Sequence, residues 1–196
     1  MAAARRFGLE SSKTRVALLD AAEHLMREEG YAAVTSRRVA SVAGLKPQLV
    51  HYYFRTMDDL FLAIMHRRSE ENVERQTQAL ASNQPLWALW ETSIDPAGTT
   101  IMMEFIALSN HRKAIRAEIA GYGEQFRNRQ IETLSRALAT YKVGPNAYPA
   151  DVLAVLMTGI SNILIMEEAI GLSIGHANTR ALVEGYLQQL EGPRKT

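Results

Sequence analysis

The 196-residue chain has no cysteine. This excludes a disulfide framework, a thiolate metal site and a cysteine nucleophile, and it suits a reducing cytoplasm. With only twelve glycines and six prolines there is no material for a collagen-like or low-complexity segment. A net charge of only +1, alongside 47% hydrophobic residues, excludes the disordered class, which combines few apolar residues with high net charge. No run reaches about 18 uncharged apolar residues. The richest stretch, Val152 to Met166, is interrupted by Thr158, Gly159, Ser161 and Asn162. The opening Met-Ala-Ala-Ala-Arg-Arg-Phe-Gly has no apolar core behind its arginines, so no signal peptide is expected. A soluble, cytoplasmic protein with no membrane partner is the expectation.

Signatures of catalysis are also missing. The five histidines, at positions 24, 51, 66, 111 and 176, are scattered, with no Glu-x-x-His pair and no His-Glu-x-x-His zinc motif. There is no phosphate-binding Gly-x-x-x-x-Gly-Lys-Ser/Thr loop. Gly121-Tyr122-Gly123 lacks the third glycine and the strand context of a dinucleotide site. No nucleophile elbow supports a serine hydrolase. The sequence therefore predicts no enzyme, no cofactor and no metal.

What is present is asymmetric. Residues 1–55 carry nine lysines and arginines against five acids, whereas the remainder carries thirteen against sixteen. A basic end on a slightly acidic body is the pattern expected when that end meets a polyanion. Helical periodicity runs throughout. Leu18, Ala22, Leu25 and Met26 recur at i, i+4, i+7 and i+8 in a helix over about 12–29, closed by Gly30. Short helices follow from Ser36 to about Ala43, capped by Thr35 and ended by Gly44, and from Pro47 to about Tyr53. Further helices are predicted over about 57–81, 86–94, 99–109, 113–140, 150–171 and 178–190, with breaks at Pro85, Pro96–Gly98 and Gly144–Pro149. The fold class is all-α. A composition shift near residue 70 divides it into domains over 12–72 and 73–196.

Two short helices joined by a tight turn containing glycine make a helix-turn-helix. Val39, Ala40, Ala43, Leu45, Val50 and Phe54 form its inward side. Arg37, Arg38, Lys46, Gln48, His51, Tyr52 and Arg55 point outward, a set without an acid that suits phosphates and base edges. The same pattern also fits an ordinary helical hairpin with a solvated basic face. Arg5, Arg6, Lys13 and Arg15 are either an arm for the minor groove or backbone, or a solvated tail.

Residues 12–65 resemble the N-terminal domain of the tetracycline-repressor (TetR) family of bacterial transcription regulators. The resemblance is carried by Leu19-Asp20-Ala21-Ala22, Gly30-Tyr31, Thr35, Val39-Ala40, Ala43-Gly44, Tyr53-Phe54 and Asp58-x-Leu60. It implies an N-terminal three-helix DNA-binding domain followed by a helical ligand-binding and dimerisation domain. It implies that Thr35 and Ser36 open the first helix of the motif, Thr35 against a phosphate, and that Arg37 sits where some members reach a base. Lys46, Pro47, Gln48 and Leu49 then form the exposed start of the recognition helix, followed by His51, Tyr52, Tyr53 and Arg55. Gln48 is the best candidate for direct readout, since a carboxamide pairs bidentately with adenine. Lys46 favours guanine or binds phosphate. Two departures stand out: His51 replaces a usual tyrosine and Met57 a usual lysine, both phosphate contacts in the family. Losing one such contact weakens binding and lowers its salt slope by about one unit.

The partners so implied are palindromic double-stranded DNA, a second copy of the chain, and a small, largely apolar effector. For the homodimer interface the candidates are Val152, Val155, Leu156, Gly159, Ile160 and Ile163 on one helix, with Leu182, Tyr186, Leu187 and Leu190 on the next. For the effector they are Trp87, Trp90, Met102, Met103, Phe105, Ile106, Tyr122, Phe126 and Asn162. Aromatic and methionine residues at helical spacing serve equally as core, and Asn162 either fixes a helix interface or orients a ligand. Other polar candidates are Glu104, Ser109, Asn110, His111 and Glu167. The expected function is a ligand-responsive transcription regulator, a repressor released by its effector. The alternatives are a constitutive DNA-binding dimer, or a small-molecule binding protein that keeps the helix-turn-helix as scaffold.

Overall fold

A computed structural model describes residues 12–141 and 149–195. Among them are nine α-helices and no strand: α1 (Lys13–Glu29), α2 (Ser36–Val42), α3 (Pro47–Tyr53), α4 (Met57–Ala81), α5 (Pro85–Ser93), α6 (Pro96–Ser109), α7 (Lys113–Thr140), α8 (Ala150–Ala169) and α9 (His176–Glu191). Arg5 and Arg6, and the break over 144–148, lie outside the described residues. A short 3-10 turn, Tyr31–Ala33, follows α1 and was not legible in the sequence.

Contacts divide the chain into two units. The first runs to Arg68 and includes Thr100–Ala120; the second comprises Ser69–Thr99 and the chain from Gly121 onward. In the first unit α1 buries Leu18, Ala22, Leu25 and Met26, the face predicted from their spacing, and with them Leu19 and Ala21. Val39, Ala40, Val50 and Phe54 close over it, joined by Leu60, Phe61 and Ile64 of α4. Thr56 and Asp59 start α4 as a reciprocal pair. The Asp59 N–H donates to Thr56 Oγ1 at 3.0 Å and the Thr56 N–H to Asp59 Oδ2 at 3.2 Å, so two otherwise orphaned amides are satisfied.

The second unit is built around Leu86, Trp87, Leu89 and Trp90 of α5, which pack with Leu134 of α7, Ala154 and Leu164 of α8, and Leu187 of α9. The Glu191 carboxylate ties the end of α9 to the start of α5, accepting the N–H groups of Leu86 at 2.9 Å and Trp87 at 3.0 Å. An anion at a helix N-terminus meets both free amides and the positive end of the dipole. Tyr141 also donates to Glu191, at 2.6 Å, and burial holds its phenol well above its ordinary pKa. At the start of α6, Asp95 caps the helix by accepting the Gly98 N–H at 2.9 Å and receives Arg75 at 2.7 Å. The helix therefore begins at Pro96, earlier than the predicted 99, because proline is tolerated in a first turn.

Candidate nucleic-acid interface

The turn between α2 and α3 follows from Gly44. Its φ of 66° is in the left-handed region. This conformation lets the Leu45 N–H reach the Ala40 carbonyl at 2.8 Å and the Gly44 N–H the Ser41 carbonyl at 3.2 Å, which satisfies the last carbonyls of α2. Thr35 caps the other end, its hydroxyl accepting the Arg38 N–H at 3.4 Å. α3 then starts with Lys46 as N-cap and Pro47 in its first turn. The two ends of α2 and the start of α3 are thus fixed by three residue types at fixed positions.

This turn puts Arg37, Lys46, Pro47, Gln48, His51, Tyr52 and Arg55 on the exposed side, with Thr35 exposed beside them. Ser36, Leu49 and Tyr53 are half-buried. The side chains of Arg37, Lys46, Gln48 and His51 have no hydrogen-bonding or ionic partner among the described residues. Tyr53 is anchored: its hydroxyl lies 2.9 Å from Ser12 Oγ, and its ring meets Tyr52 edge-on at 5.0 Å. Arg15 stacks over the Phe54 ring at 5.2 Å, so it supports the motif's floor, and Lys13 is exposed.

Two nearby cations are engaged. Arg38 grips Glu29 through both terminal nitrogens, at 2.6 and 2.7 Å; that pair raises the guanidinium's pKa and holds the Glu29 carboxyl below its usual range. Arg55 lies 3.5 Å from Asp59. The sequence pattern counted Arg38 with the outward basic set but could not show that α1 supplies its counter-charge.

Local spacing also does not show how α6 and the turn after it pack within this unit. Glu104 Oε2 accepts the Tyr31 N–H at 2.7 Å and lies against Gly30, where an added Cβ would sit 3.2 Å from the same oxygen. Arg112 bonds Asp58 at the start of α4 and stacks over Phe61 at 5.6 Å. His111 is exposed, with its ring 6.4 Å from that of Tyr31.

The effector candidates divide between the units. Phe105 is buried in the first, where Met102, Met103 and Ile106 are exposed. In the second unit Trp90 is buried in the core, and Trp87 is buried with its Nε1 donating to the Gly192 carbonyl at 3.1 Å. Tyr122, Phe126 and Asn162 are half-buried, and Asn162 Oδ1 accepts the Thr99 hydroxyl at 3.4 Å. Among the polar candidates, Ser109 donates to the Ile106 carbonyl and Glu167 meets His176. No group of three metal-ligating side chains occurs among the described residues.

Among the dimer candidates, Val152, Val155, Leu156, Gly159 and Ile163 are exposed along α8, as is Leu182 on α9. Ile160, Tyr186 and Leu190 are half-buried, and Leu187 is buried in the core. By length and composition α8 is apolar enough to cross a membrane, with a mean hydropathy of 1.6. Its opposite face, with Ala154, Ser161, Leu164 and Ile165, is buried within the second unit.

Residues 18–64, which span α1 to the first turns of α4, match the family of bacterial regulatory proteins described as tetR. The N-terminal domain is a tetR-family domain. Over 133 residues, 66% of its length, the chain is 26% identical to the HTH-type transcriptional regulator BetI of Rhizobium meliloti, and it spans 60% of the length of that curated relative. Solved structures share the fold over most of the chain. A TetR-family transcriptional regulator from a Rhodococcus species superposes with a TM-score of 0.71 over 92% of this chain and 100% of that one, at 19% identity. A TetR regulator from Haloarcula marismortui gives 0.72 over 90% and 97%, at 18% identity. A transcriptional regulator from Saccharomonospora viridis, solved in complex with choline, gives 0.70 over 89% and 95%, at 19%.

Proposed function

We propose that the protein is a homodimeric, DNA-binding transcription regulator of the tetR type, a repressor released from a palindromic operator by a small, mostly apolar effector. The observation that carries this reading is the outer face of the helix-turn-helix. Arg37, Lys46, Gln48 and His51 stand exposed and unengaged among the described residues, while Glu29 of α1 is occupied by Arg38. In that arrangement Arg37 and Lys46 neutralise phosphates, and Gln48, one position into α3, pairs with a base edge in the major groove.

The exposed apolar residues of α8 support a second copy as the partner, since Val152, Val155, Leu156, Gly159 and Ile163 fall at i, i+3, i+4, i+7 and i+11. Two recognition helices on a two-fold axis then read two half-sites. The Glu104 and Arg112 contacts give the effector a route to the DNA-binding unit. A ligand that shifts α6 or α7 acts on the Tyr31 turn and on the start of α4.

The test is a pair of variants on an operator selected from genomic DNA. Lys46→Ala should weaken binding to all sequences and lower the salt slope by about one unit, whereas Gln48→Ala should relax selectivity by about 1–3 kcal/mol at one base pair. Equal, sequence-independent losses from both variants would remove the assignment of base readout to Gln48.

A further inference from the structure

Arg127 on α7 is half-buried in the second unit, and among the described residues its charge has no carboxylate partner. Its Nη1 donates to Gln130 Oε1 at 3.3 Å and to Thr158 Oγ1 at 3.2 Å, both neutral. The half-buried arginines Arg67, Arg75, Arg112 and Arg180 each meet an aspartate or glutamate instead. Burial pushes the Arg127 pKa down, and no neighbouring charge pulls it back.

The two neutral acceptors are themselves fixed. Thr158 donates its hydroxyl to the Ala154 carbonyl at 2.9 Å, and Gln130, which is buried, places its amide 3.9 Å from Met157 Sδ. Together they hold one terminal nitrogen of the guanidinium in place. Among the described residues nothing pairs with Nε or Nη2, and neither atom is sealed from solvent as Nε of Arg67 and Arg75 is. That free edge carries two parallel N–H donors, the geometry that grips a carboxylate bidentately. Ile131 follows one turn along α7, and Met157 meets Gln130, the partner of Arg127; both pack against the unit's apolar core. A partly desolvated cation with an open fork and an apolar flank matches a ligand with one negative head and an apolar body.

We propose that the Nε/Nη2 edge of Arg127 anchors the carboxylate of a small, apolar-bodied organic acid held between α7 and α8. This rests on the effector-responsive reading above and narrows the effector to an anion. A cation such as the choline bound by the Saccharomonospora viridis regulator has the wrong sign for this site.

The experiment titrates the full-length protein calorimetrically with octanoate, benzoate and phenylacetate, and with octanamide, choline and inorganic phosphate as contrasts. It is repeated with Arg127→Gln and Arg127→Lys. At least one carboxylate should bind saturably, more tightly than octanamide, choline or phosphate. Arg127→Gln should weaken it about ten- to hundredfold, and Arg127→Lys should recover only part of the loss. Melting temperature and dimer mass should be unchanged in both variants. The proposal is overturned if no carboxylate binds, if phosphate binds as tightly as the best of them, or if Arg127→Gln leaves the affinity intact. It is equally overturned if the variant dissociates the dimer or lowers its melting temperature, for Arg127 is then a structural contact. DNA binding measured on the same samples separates the two readings. A carboxylate that binds through Arg127 and leaves operator affinity unchanged sinks the effector reading alone; release from DNA that survives Arg127→Gln sinks the site alone.

Discussion

At the scale of single residues, a few carboxylates determine which surfaces are tied together. Glu104 is the clearest case, because its partner is a backbone N–H 73 positions away in the chain. Glu104→Ala leaves the Tyr31 amide part-buried without an acceptor and should destabilise the protein by about 1–2 kcal/mol in urea melts. Glu104→Gln, which keeps an acceptor oxygen, should recover most of that loss. His176, at the start of α9, shows a charge effect with a definite sign. Its Nε2 lies 2.7 Å from Glu167 and its Nδ1 3.3 Å from Glu168, which Arg180 also meets at 2.7 Å. The hydrogen bond with Glu167 is the main cause of the histidine's raised pKa, outweighing desolvation. Its stabilising contribution is therefore full below the ordinary value of 6.5 and is lost as pH rises through the raised one. Glu168, lowered chiefly by Arg180, contributes above its ordinary 4.5, and that contribution is lost as pH falls through the lowered value. An NMR titration should place the His176 midpoint above 6.5, and His176→Gln should flatten the alkaline side of the stability profile. A midpoint at or below 6.5 would contradict this geometry.

At the scale of elements, local punctuation made the helix-turn-helix legible in the sequence. Thr35, Gly44 and Pro47 are a cap, a left-handed residue and a first-turn proline, and each acts within about one helical turn. α2 and α3 consequently begin where their sequence predicts. The 3-10 turn at Tyr31–Ala33 is three residues long and has no periodicity to read. The pairs Arg38–Glu29 and Glu104–Tyr31 depend on how helices pack, which local spacing does not encode. Gly44 gives a prediction at this scale. An added Cβ would meet nothing within 4 Å, so Gly44→Ala should cost about 1–2 kcal/mol through backbone conformation alone. Thermal melts should show that loss, and D-alanine at the same position should remove it.

At the scale of the whole molecule, the exposed apolar face of α8 is the surface on which the proposed dimer rests. Val155 is 58% exposed and Leu156 51%, on a helix whose other side is sealed into the second unit. Contiguous exposed apolar stripes of this kind mark interaction surfaces. Leu156→Glu should yield a monomer by light scattering, with helical circular dichroism retained and operator affinity sharply reduced because one recognition helix binds alone. A dimer that survives this change would move the interface away from α8. Helical spacing grouped these residues on α8, but which of them stay uncovered was no more legible than which effector candidates belong to the core. Trp87 and Trp90 share their spacing with packing residues, and burial emerges only from the assembled unit.

The central claim is that the exposed face of Arg37, Lys46, Gln48 and His51 binds DNA in a sequence-selective way. Fluorescence anisotropy of the purified protein, on DNA from around its own gene and on scrambled DNA across a series of salt concentrations, tests it most directly. The account predicts tight binding to the first, weak binding to the second, and affinity that falls steeply and linearly on a log–log plot as salt rises. Weak, equal binding to both DNAs, together with a failure of genome-wide selection to recover any site, would contradict it.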